Sequence, residues 1–230
     1  WCTSPEKLYV YGATEPILIS QIGRRDLMKK SKTVVKKRKS ARGSVRDRII
    51  KSVSKARVGE LTEQLTNIPS PTGSEAEISD FLAKELERIG LEVSLQEVEE
   101  GRNNVIAKLR GKGRGRNLMF NAHFDTSGTD ADKIPGQVSK VVREGDWIYG
   151  LGASNMKNAF AGYIGAVEAL METGVEPSGD VLITGVVGEI EKAPVSHYQG
   201  ISYRGGGSGA RFLMSHGCVA DLAIIGEPTG

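Results

Sequence analysis

Apolar residues recur at helical spacing in three parts of the chain, and each stripe predicts a helix. The first helix ends by Pro69, because the residue before a proline disfavours helical backbone. Ser74 and Glu77 form a capping box that begins the second helix, and Gly90 ends it. The third helix occupies residues 155–173. The inward stripes are Ile50, Val53, Leu61 and Leu65; Ile78, Phe81, Leu82, Leu86 and Ile89; and Phe160, Ile164, Val167 and Met171.

Other segments have the pattern of strands. Residues 91–98 and 104–109 alternate between apolar and polar positions, with a predicted hairpin turn at 100–103. Central strands that are covered on both faces are apolar without alternation. Three runs have that character: 118–120, 181–187 and 222–225. Strands alternating with helices predict an α/β fold with α/β/α layers around a mostly parallel or mixed central sheet.

Composition narrows the class of protein. With 39% hydrophobic and 26% charged residues, the 230-residue chain suits a folded domain and not a disordered one. The longest apolar run has seven residues, too few to cross a bilayer, and we find no signal-peptide pattern. Cys2 and Cys218 make no disulfide framework. We therefore expect reduced thiols in a cytoplasmic protein that does not contact membranes.

Charge divides the chain into two parts. The net charge of +3 hides a basic stretch at 21–57, which holds 15 Lys or Arg and two Asp. We expect a basic, disordered arm over residues 1–45 and a folded domain over 46–230. Residues 1–27 are expected to be upstream read-through before a start at Met28. The basic stretch contains no aromatic residue, so it offers no stacking platform and binding to nucleic acid is not expected.

Residues that can bind a metal follow the three apolar runs, where ligands of layered α/β sheets gather. His123 and Asp125 come first and point to the same side of an extended chain, so that an imidazole can bind zinc while the carboxylate supports it. Glu189 is placed as a general base, and Glu227 is a candidate carboxylate ligand. Taken alone, each residue is better explained as a buried structural histidine or as a surface acid. Together they indicate a metal site.

The run Gly-Leu-Gly-Ala-Ser-Asn-Met-Lys at 150–157 adds a fourth motif, and Gly-Glu-Pro-Thr stands at 226–229. With these motifs in this order, the sequence from about residue 46 resembles the zinc-dependent aminoacylase and carboxypeptidase family of metallopeptidases. That family includes acetylornithine deacetylase and succinyl-diaminopimelate desuccinylase. The resemblance implies the first part of a zinc-peptidase-like catalytic domain that is truncated at the C-terminus, so we expect this chain alone to be inactive.

The resemblance also implies a chemistry. The family hydrolyses an amide bond with two zinc ions; one ion is the alternative here, and cobalt or manganese are alternative metals. The positions of His123 and Glu227 bind metal, that of Asp125 supports the histidine, and that of Glu189 is the general base. The implied substrate is a small acylated amino acid or a peptide. The implied partner is a second copy, held through a dimerisation domain outside this chain.

Four positions depart from the family pattern. The metal-bridging aspartate is Asn155, whose neutral amide brings no charge to hold two cations together. The acid after the base is Ile190, and Glu191 is the candidate metal ligand in its place. Leu151 and Asn158 replace the family's arginine and glycine. We expect a divergent amide or peptide hydrolase. The alternative is a catalytically degenerate relative that binds nucleic acid or an acidic partner through its basic arm.

Overall fold

A computed structural model describes residues 9–11, 16–18, 43–127, 140–190 and 205–228. Contacts divide the chain into two units, residues 1–41 and 42–230. In the first unit, β1 (Tyr9–Tyr11) and β2 (Pro16–Leu18) pair antiparallel. None of the described helices combines the length and the apolar character that a membrane span requires.

The second unit contains helices α1 (Val45–Ser52), α2 (Lys55–Asn67), α3 (Ala76–Arg88), α4 (Asn158–Glu172) and α5 (Ser208–Ser215). The first predicted helix is therefore two, because Ser54 caps α2 by accepting the N–H of Arg57. The predicted capping box at Ser74 is wrong: Glu75 is the N-cap residue of α3, without a side-chain cap bond. A capping box forms instead at Ser44, before α1.

The strands of the second unit are β3 (Glu92–Glu99), β4 (Arg102–Leu109), β5 (Leu118–His123), β6 (Val142–Glu144), β7 (Trp147–Tyr149), β8 (Val181–Val186) and β9 (Leu222–Ile225). A five-stranded sheet has the order β3-β4-β8-β5-β9, and β6 and β7 form a separate hairpin. β5 runs parallel to β8 and β9, whereas β4 is antiparallel to β3 and β8. The prediction of a mixed central sheet is confirmed.

Helices cover both faces of this sheet. Buried residues of α2, α3 and α4, such as Leu65, Leu82 and Ile164, share one core cluster with the strands. On the other face, Leu213 of α5 packs with residues of β5 and β8. The second unit therefore has the three layers that the alternating pattern predicted.

Three predictions of burial are wrong. Ile50 and Val53 were expected on the inward face of the first helix but are 58% and 39% exposed, because α1 has no buried residue and Val53 lies at its C-terminal end. β9 was expected to be covered on both faces, but all four of its residues are exposed, because it lies at the edge of the described sheet. Met171 was expected to face inward and is 40% exposed, because the buried face of α4 shifts to Ala169 in its last turns. β8 is buried throughout, as a central strand should be.

Candidate functional site

The predicted site residues lie at the carboxyl ends of three neighbouring strands. His123 ends β5, Glu189 follows β8, and Glu227 follows β9. The Nε2 atom of His123 lies 3.9 Å from Oε2 of Glu189 and 3.4 Å from Oε2 of Glu227. Because β8, β5 and β9 are parallel, their carboxyl ends share one edge of the sheet, which brings together side chains that are distant in sequence.

Asn155 joins this cluster from the turn before α4. Residues Ala153–Lys157 do not form a regular α-helix: Gly152 has a φ of 83°, and Asn155 has φ −116° and ψ 98°. The predicted helix start at 155 is therefore displaced to Asn158. The Oδ1 atom of Asn155 lies 2.8 Å from Nε2 of His123, and its Nδ2 donates to Oε1 of Glu227 at 2.9 Å. The amide thus contacts two of the predicted metal ligands.

His123 is buried, and a hydrogen bond fixes the orientation of its ring. The Nδ1 atom lies 2.9 Å from the main-chain oxygen of Asp125, so this nitrogen carries a proton and donates it. The Nε2 atom then faces Asn155, Glu189 and Glu227. Burial opposes the charged imidazolium, but the hydrogen bond and charge of Asp125, with the charge of Glu189, raise the pKa of His123 above its ordinary value.

The carboxylate of Asp125 is fully buried and connects His123 to the main chain around Glu189, the predicted base. It accepts the hydroxyl of Thr72 at 2.7 Å and the N–H groups of Glu189 and Ile190 at 2.9 and 2.8 Å. Its Oδ1 lies 3.4 Å from Nδ1 of His123. Burial works to raise the pKa of Asp125, but the bonds from His123, Glu189, Thr72 and Ile190 hold it below the usual range.

Sequence reasoning missed two polar residues beside the cluster. Lys157 is 1% exposed, donates to the main-chain oxygen of Ile68 at 2.6 Å, and has a pKa lowered by burial to about 8. Its place in the motif at 150–157 was the available signal. Thr72 lies in a turn whose backbone bonds to Thr126 at 3.2 Å. Its only signal was the run of turn residues at 69–73.

A cavity of about 500 Å³ opens beside Asn155. The residues that line it include the apolar Ile148, Leu151 and Ile190 and the polar Thr126. Two of the positions that depart from the family pattern, Leu151 and Ile190, are therefore cavity residues. A concave site of this size, next to convergent polar groups, suits a small ligand.

The donor types of the cluster suit a cation such as zinc, which binds imidazole nitrogen and carboxylate oxygen. In the ranges that the structure describes, no group of three or more His, Cys, Asp or Glu side chains is placed to hold a metal ion. The cluster of His123 and Glu227 gains a third donor in the amide of Asn155. The predicted ligand Glu191 lies outside the described residues. The donor types of His123, Glu227 and Asn155 therefore suit a cation, and the number of ions stays a prediction.

Residues 119–230 match Peptidase family M20/M25/M40. A succinyl-diaminopimelate desuccinylase from Corynebacterium glutamicum is 32% identical over 170 residues, which are 74% of this chain and 41% of that protein. An acetylornithine deacetylase from Aliivibrio fischeri is 36% identical over 93 residues, 40% of this chain and 24% of that protein. The aligned chain thus spans less than half the length of either relative.

Comparison with solved structures agrees at the level of fold. A tripeptidase from Staphylococcus aureus has a TM-score of 0.61 and 22% identity to this chain, over 78% of it and 45% of the tripeptidase. At this identity the likeness concerns the layered α/β fold alone. The matched family and both relatives bear the names that the motifs indicated. Over residues 119–230 the chain therefore matches the M20/M25/M40 peptidase family, and the predicted resemblance is confirmed.

Proposed function

We propose that this chain carries metal-binding and general-base residues of a metal-dependent hydrolase of amide or peptide bonds. The observation that supports the proposal is the convergence of Nε2 of His123 with oxygen atoms of Asn155, Glu189 and Glu227. If His123 were only a buried structural histidine and the acids only surface residues, side chains from four separate segments would have no reason to meet at one point. The two relatives, a desuccinylase and a deacetylase by name, favour removal of an acyl group.

The side chains of His123, Asn155 and Glu227 would hold the cation, with zinc expected and cobalt or manganese as alternatives. Such an ion, when bound, polarises the carbonyl of the substrate as a Lewis acid. The family resemblance implies two ions, whereas the described donors suit one. Glu191 remains the candidate ligand for completing the set.

Glu189 is the proposed general base. Its side chain is half exposed and lies 3.9 Å from Nε2 of His123, so it is open to water and substrate on one side of the cluster. The carboxylate takes a proton from the attacking water and gives it to the amine nitrogen as the carbon–nitrogen bond breaks. Asp125 contributes from its buried position, by orienting His123 and by binding the main chain of Glu189.

The proposed substrate is a small acylated amino acid or a short peptide, and the cavity beside Asn155 would take one of its side groups. A homodimer through a further domain and a cytoplasmic location remain predictions. Neither relative supports the alternative of a degenerate binding protein. The basic arm, predicted over residues 1–45, lies almost entirely outside the described residues.

Metal content tests the proposal directly. The complete gene product is purified without chelators, supplied with zinc, and analysed by elemental mass spectrometry. We expect one or two zinc ions per chain in the wild type, and loss of zinc in His123→Ala, because the imidazole is the site's only nitrogen donor among the described residues. The matched control is His216→Ala, which removes an exposed histidine that stacks on Phe212. This control should retain its zinc.

Activity is then measured on the same three proteins as release of free amine from N-succinyl and N-acetyl amino acids and from di- and tripeptides. The wild type and His216→Ala should hydrolyse the same substrates, and His123→Ala should hydrolyse none. Wild-type protein that takes up no zinc would contradict the proposed function. So would unchanged zinc content in His123→Ala.

A further inference from the structure

The segment at 187–190, here called the base segment because it carries Glu189, is bound through four consecutive N–H groups. Each of these groups donates to a buried side chain from another part of the fold. In order along the segment, the acceptors are Asn104 Oδ1 at 3.1 Å, Glu75 Oε1 at 3.1 Å, and the Asp125 carboxylate at 2.9 and 2.8 Å. The main chain on both sides of Glu189 is therefore fixed by three buried side chains. One of them, Asp125, also contacts His123 in the cluster, whereas Asn104 and Glu75 are connected to the cluster only through the segment.

The carbonyl groups of the base segment are bound as well. The oxygen of Gly188 accepts the N–H groups of Gly207 and Ser208 at 2.8 and 3.1 Å, and that of Val187 accepts Gly209 at 3.0 Å. The approach at Gly209 is so close that a Cβ there would lie 2.3 Å from the oxygen of Val187 and 2.8 Å from Oδ1 of Asn104. The start of α5 thus holds the opposite side of the segment.

A left-handed residue sets the direction of these bonds. Gly188 has a φ of 66°, a conformation that glycine adopts without the steric cost borne by other residues. Its own N–H group reaches Glu75, and the next two reach Asp125. Successive N–H groups around such a residue can surround negative charge, and here they are shared between two carboxylates.

The carboxylate of Glu75 binds both a buried arginine and the base segment. It is fully buried and forms two hydrogen bonds with Arg102, Nε to Oε2 at 2.9 Å and Nη2 to Oε1 at 2.7 Å. Buried ion pairs lose so much hydration that apolar residues of similar volume often stabilise a fold as well or better. An apolar pair would, however, leave the N–H of Gly188 without an acceptor. The bond to the base segment is therefore the feature that requires a carboxylate at this position.

We propose that Glu75 and Asn104 are positioning residues, which fix the base segment and so hold the carboxylate of Glu189 beside His123. The role of Glu189 as the base rests on the proposed function, whereas the anchoring of the segment does not. Displacement of a reacting group by about 1 Å can lower a rate by about 10²-fold. Loss of either anchor should therefore slow the chemical step much more than it weakens substrate binding.

The test compares two isosteric variants of the complete gene product. Each variant changes one of the two carboxylates that bind the guanidinium of Arg102. Glu75→Gln keeps the shape of the side chain but removes its charge, so that Arg102 and Gly188 compete for a single acceptor oxygen. Glu99→Gln makes the same change at the other carboxylate that binds Arg102, through Nη1 at 2.7 Å. All four N–H groups of the base segment have acceptors other than Glu99, which makes this variant the matched control.

Amide hydrogen exchange is the first readout, and it needs no substrate. We expect exchange at the base segment to rise at least about tenfold in Glu75→Gln, equivalent to about 1.4 kcal/mol of lost local stability. Exchange in β5 should stay unchanged, and Glu99→Gln should match the wild type in both places. Equal exchange at the segment in both variants, or a rise spread evenly over the whole unit, would overturn the proposal.

Kinetics give the second readout, on whichever amide substrate the wild type hydrolyses. Glu75→Gln should lower kcat about 10²-fold with KM changed less than about threefold, and Glu99→Gln should keep kcat within about threefold. An unchanged kcat with a freed segment would overturn the positioning role. If the wild type hydrolyses no substrate, the proposed function fails while hydrogen exchange still decides the anchoring. If Glu75→Gln does not fold, Asn104→Ser removes the acceptor of Val187 without a charge change and should give the same local rise in exchange.

Discussion

At the scale of single residues, Asn155 is the position on which the affinity of the proposed cation site depends most directly. Its amide oxygen faces His123 and its amide nitrogen binds Glu227, so it stands between two candidate ligands and contributes no charge. A carboxylate at the same position would offer an anionic oxygen to a divalent cation, which zinc accepts in preference to an amide. In the proposed metal site, one uncharged side chain would therefore limit the affinity for the ion.

Asn155→Asp should bind zinc more tightly than the wild type, by about tenfold or more, which is about 1.4 kcal/mol. The dissociation constant is measured by competition with a chromophoric chelator. Asn158→Asp is the control, because it places the same charge at an exposed position three residues further along the chain. Equal or weaker affinity in Asn155→Asp would show that this position is not a metal ligand.

At the scale of elements, β8 is the strand on which the packing of the unit depends. It is buried along its whole length and pairs with β4 and β5. The ring of Phe124, which stacks on Phe160, lies against Gly185 of this strand. A Cβ at Gly185 would be 2.2 Å from Cζ of Phe124, so the strand has no space for a side chain there.

Gly185→Ala should destabilise the protein by about 1–3 kcal/mol, because the buried ring must move to admit a methyl group. Gly162→Ala is the matched control in α4, where an added Cβ meets no atom within 4 Å. That change should be neutral or should stabilise the helix by up to about 1 kcal/mol. Urea denaturation curves give both values. A midpoint unchanged by Gly185→Ala would contradict the close packing on β8.

The same elements show which features a sequence can predict. The apolar stripes of α2, α3 and α4 and the run that forms β8 were predicted, because burial against one core imposes a regular pattern. The break before α2 depends on one local hydrogen bond of Ser54, and the exposure of β9 depends on its neighbours in the sheet. Neither the break before α2 nor the exposure of β9 changes the spacing of apolar residues, so the sequence pattern does not predict them.

The candidate site likewise contains residues that the sequence predicts and residues that it does not. His123, Glu189 and Glu227 were identified because each follows an apolar run, and strand ends are where such sheets bind ligands. The anchors Glu75 and Asn104 contact residues 113 and 83 positions further along the chain. Contacts over such separations are created by the fold itself, and no local motif indicates them.

At the scale of the whole molecule, charge is distributed unevenly. The stretch at 21–57 holds 15 of the 31 Lys and Arg residues but only two of the 28 acidic ones. The apolar clusters of the unit at 42–230 draw their members from Val58 onward. The residues that supply the core are thus separate in sequence from nearly half of the basic ones.

Deletion of residues 1–41 should leave the unfolding midpoint and the zinc content of the remaining unit unchanged, because its core and candidate ligands all lie beyond the deleted part. Both are measured beside the undeleted protein. Retention on immobilised DNA, as a function of salt, is recorded for the same pair. Salt-sensitive retention that disappears on deletion would favour the binding alternative over the hydrolase. A lower unfolding midpoint would contradict the independence of the core from residues 1–41.

The meeting of His123 with Glu227 has a consequence for how the protein is made. The two residues are separated by about a hundred positions, and β9 completes the cluster by pairing with β5. At roughly 5–20 residues per second, a ribosome would make His123 about 5–20 s before Glu227. The nascent chain therefore exposes the imidazole before its carboxylate partner exists. In the proposed metal site, loading would therefore follow the synthesis of β9, because the donor set of His123, Asn155 and Glu227 does not exist on a shorter nascent chain.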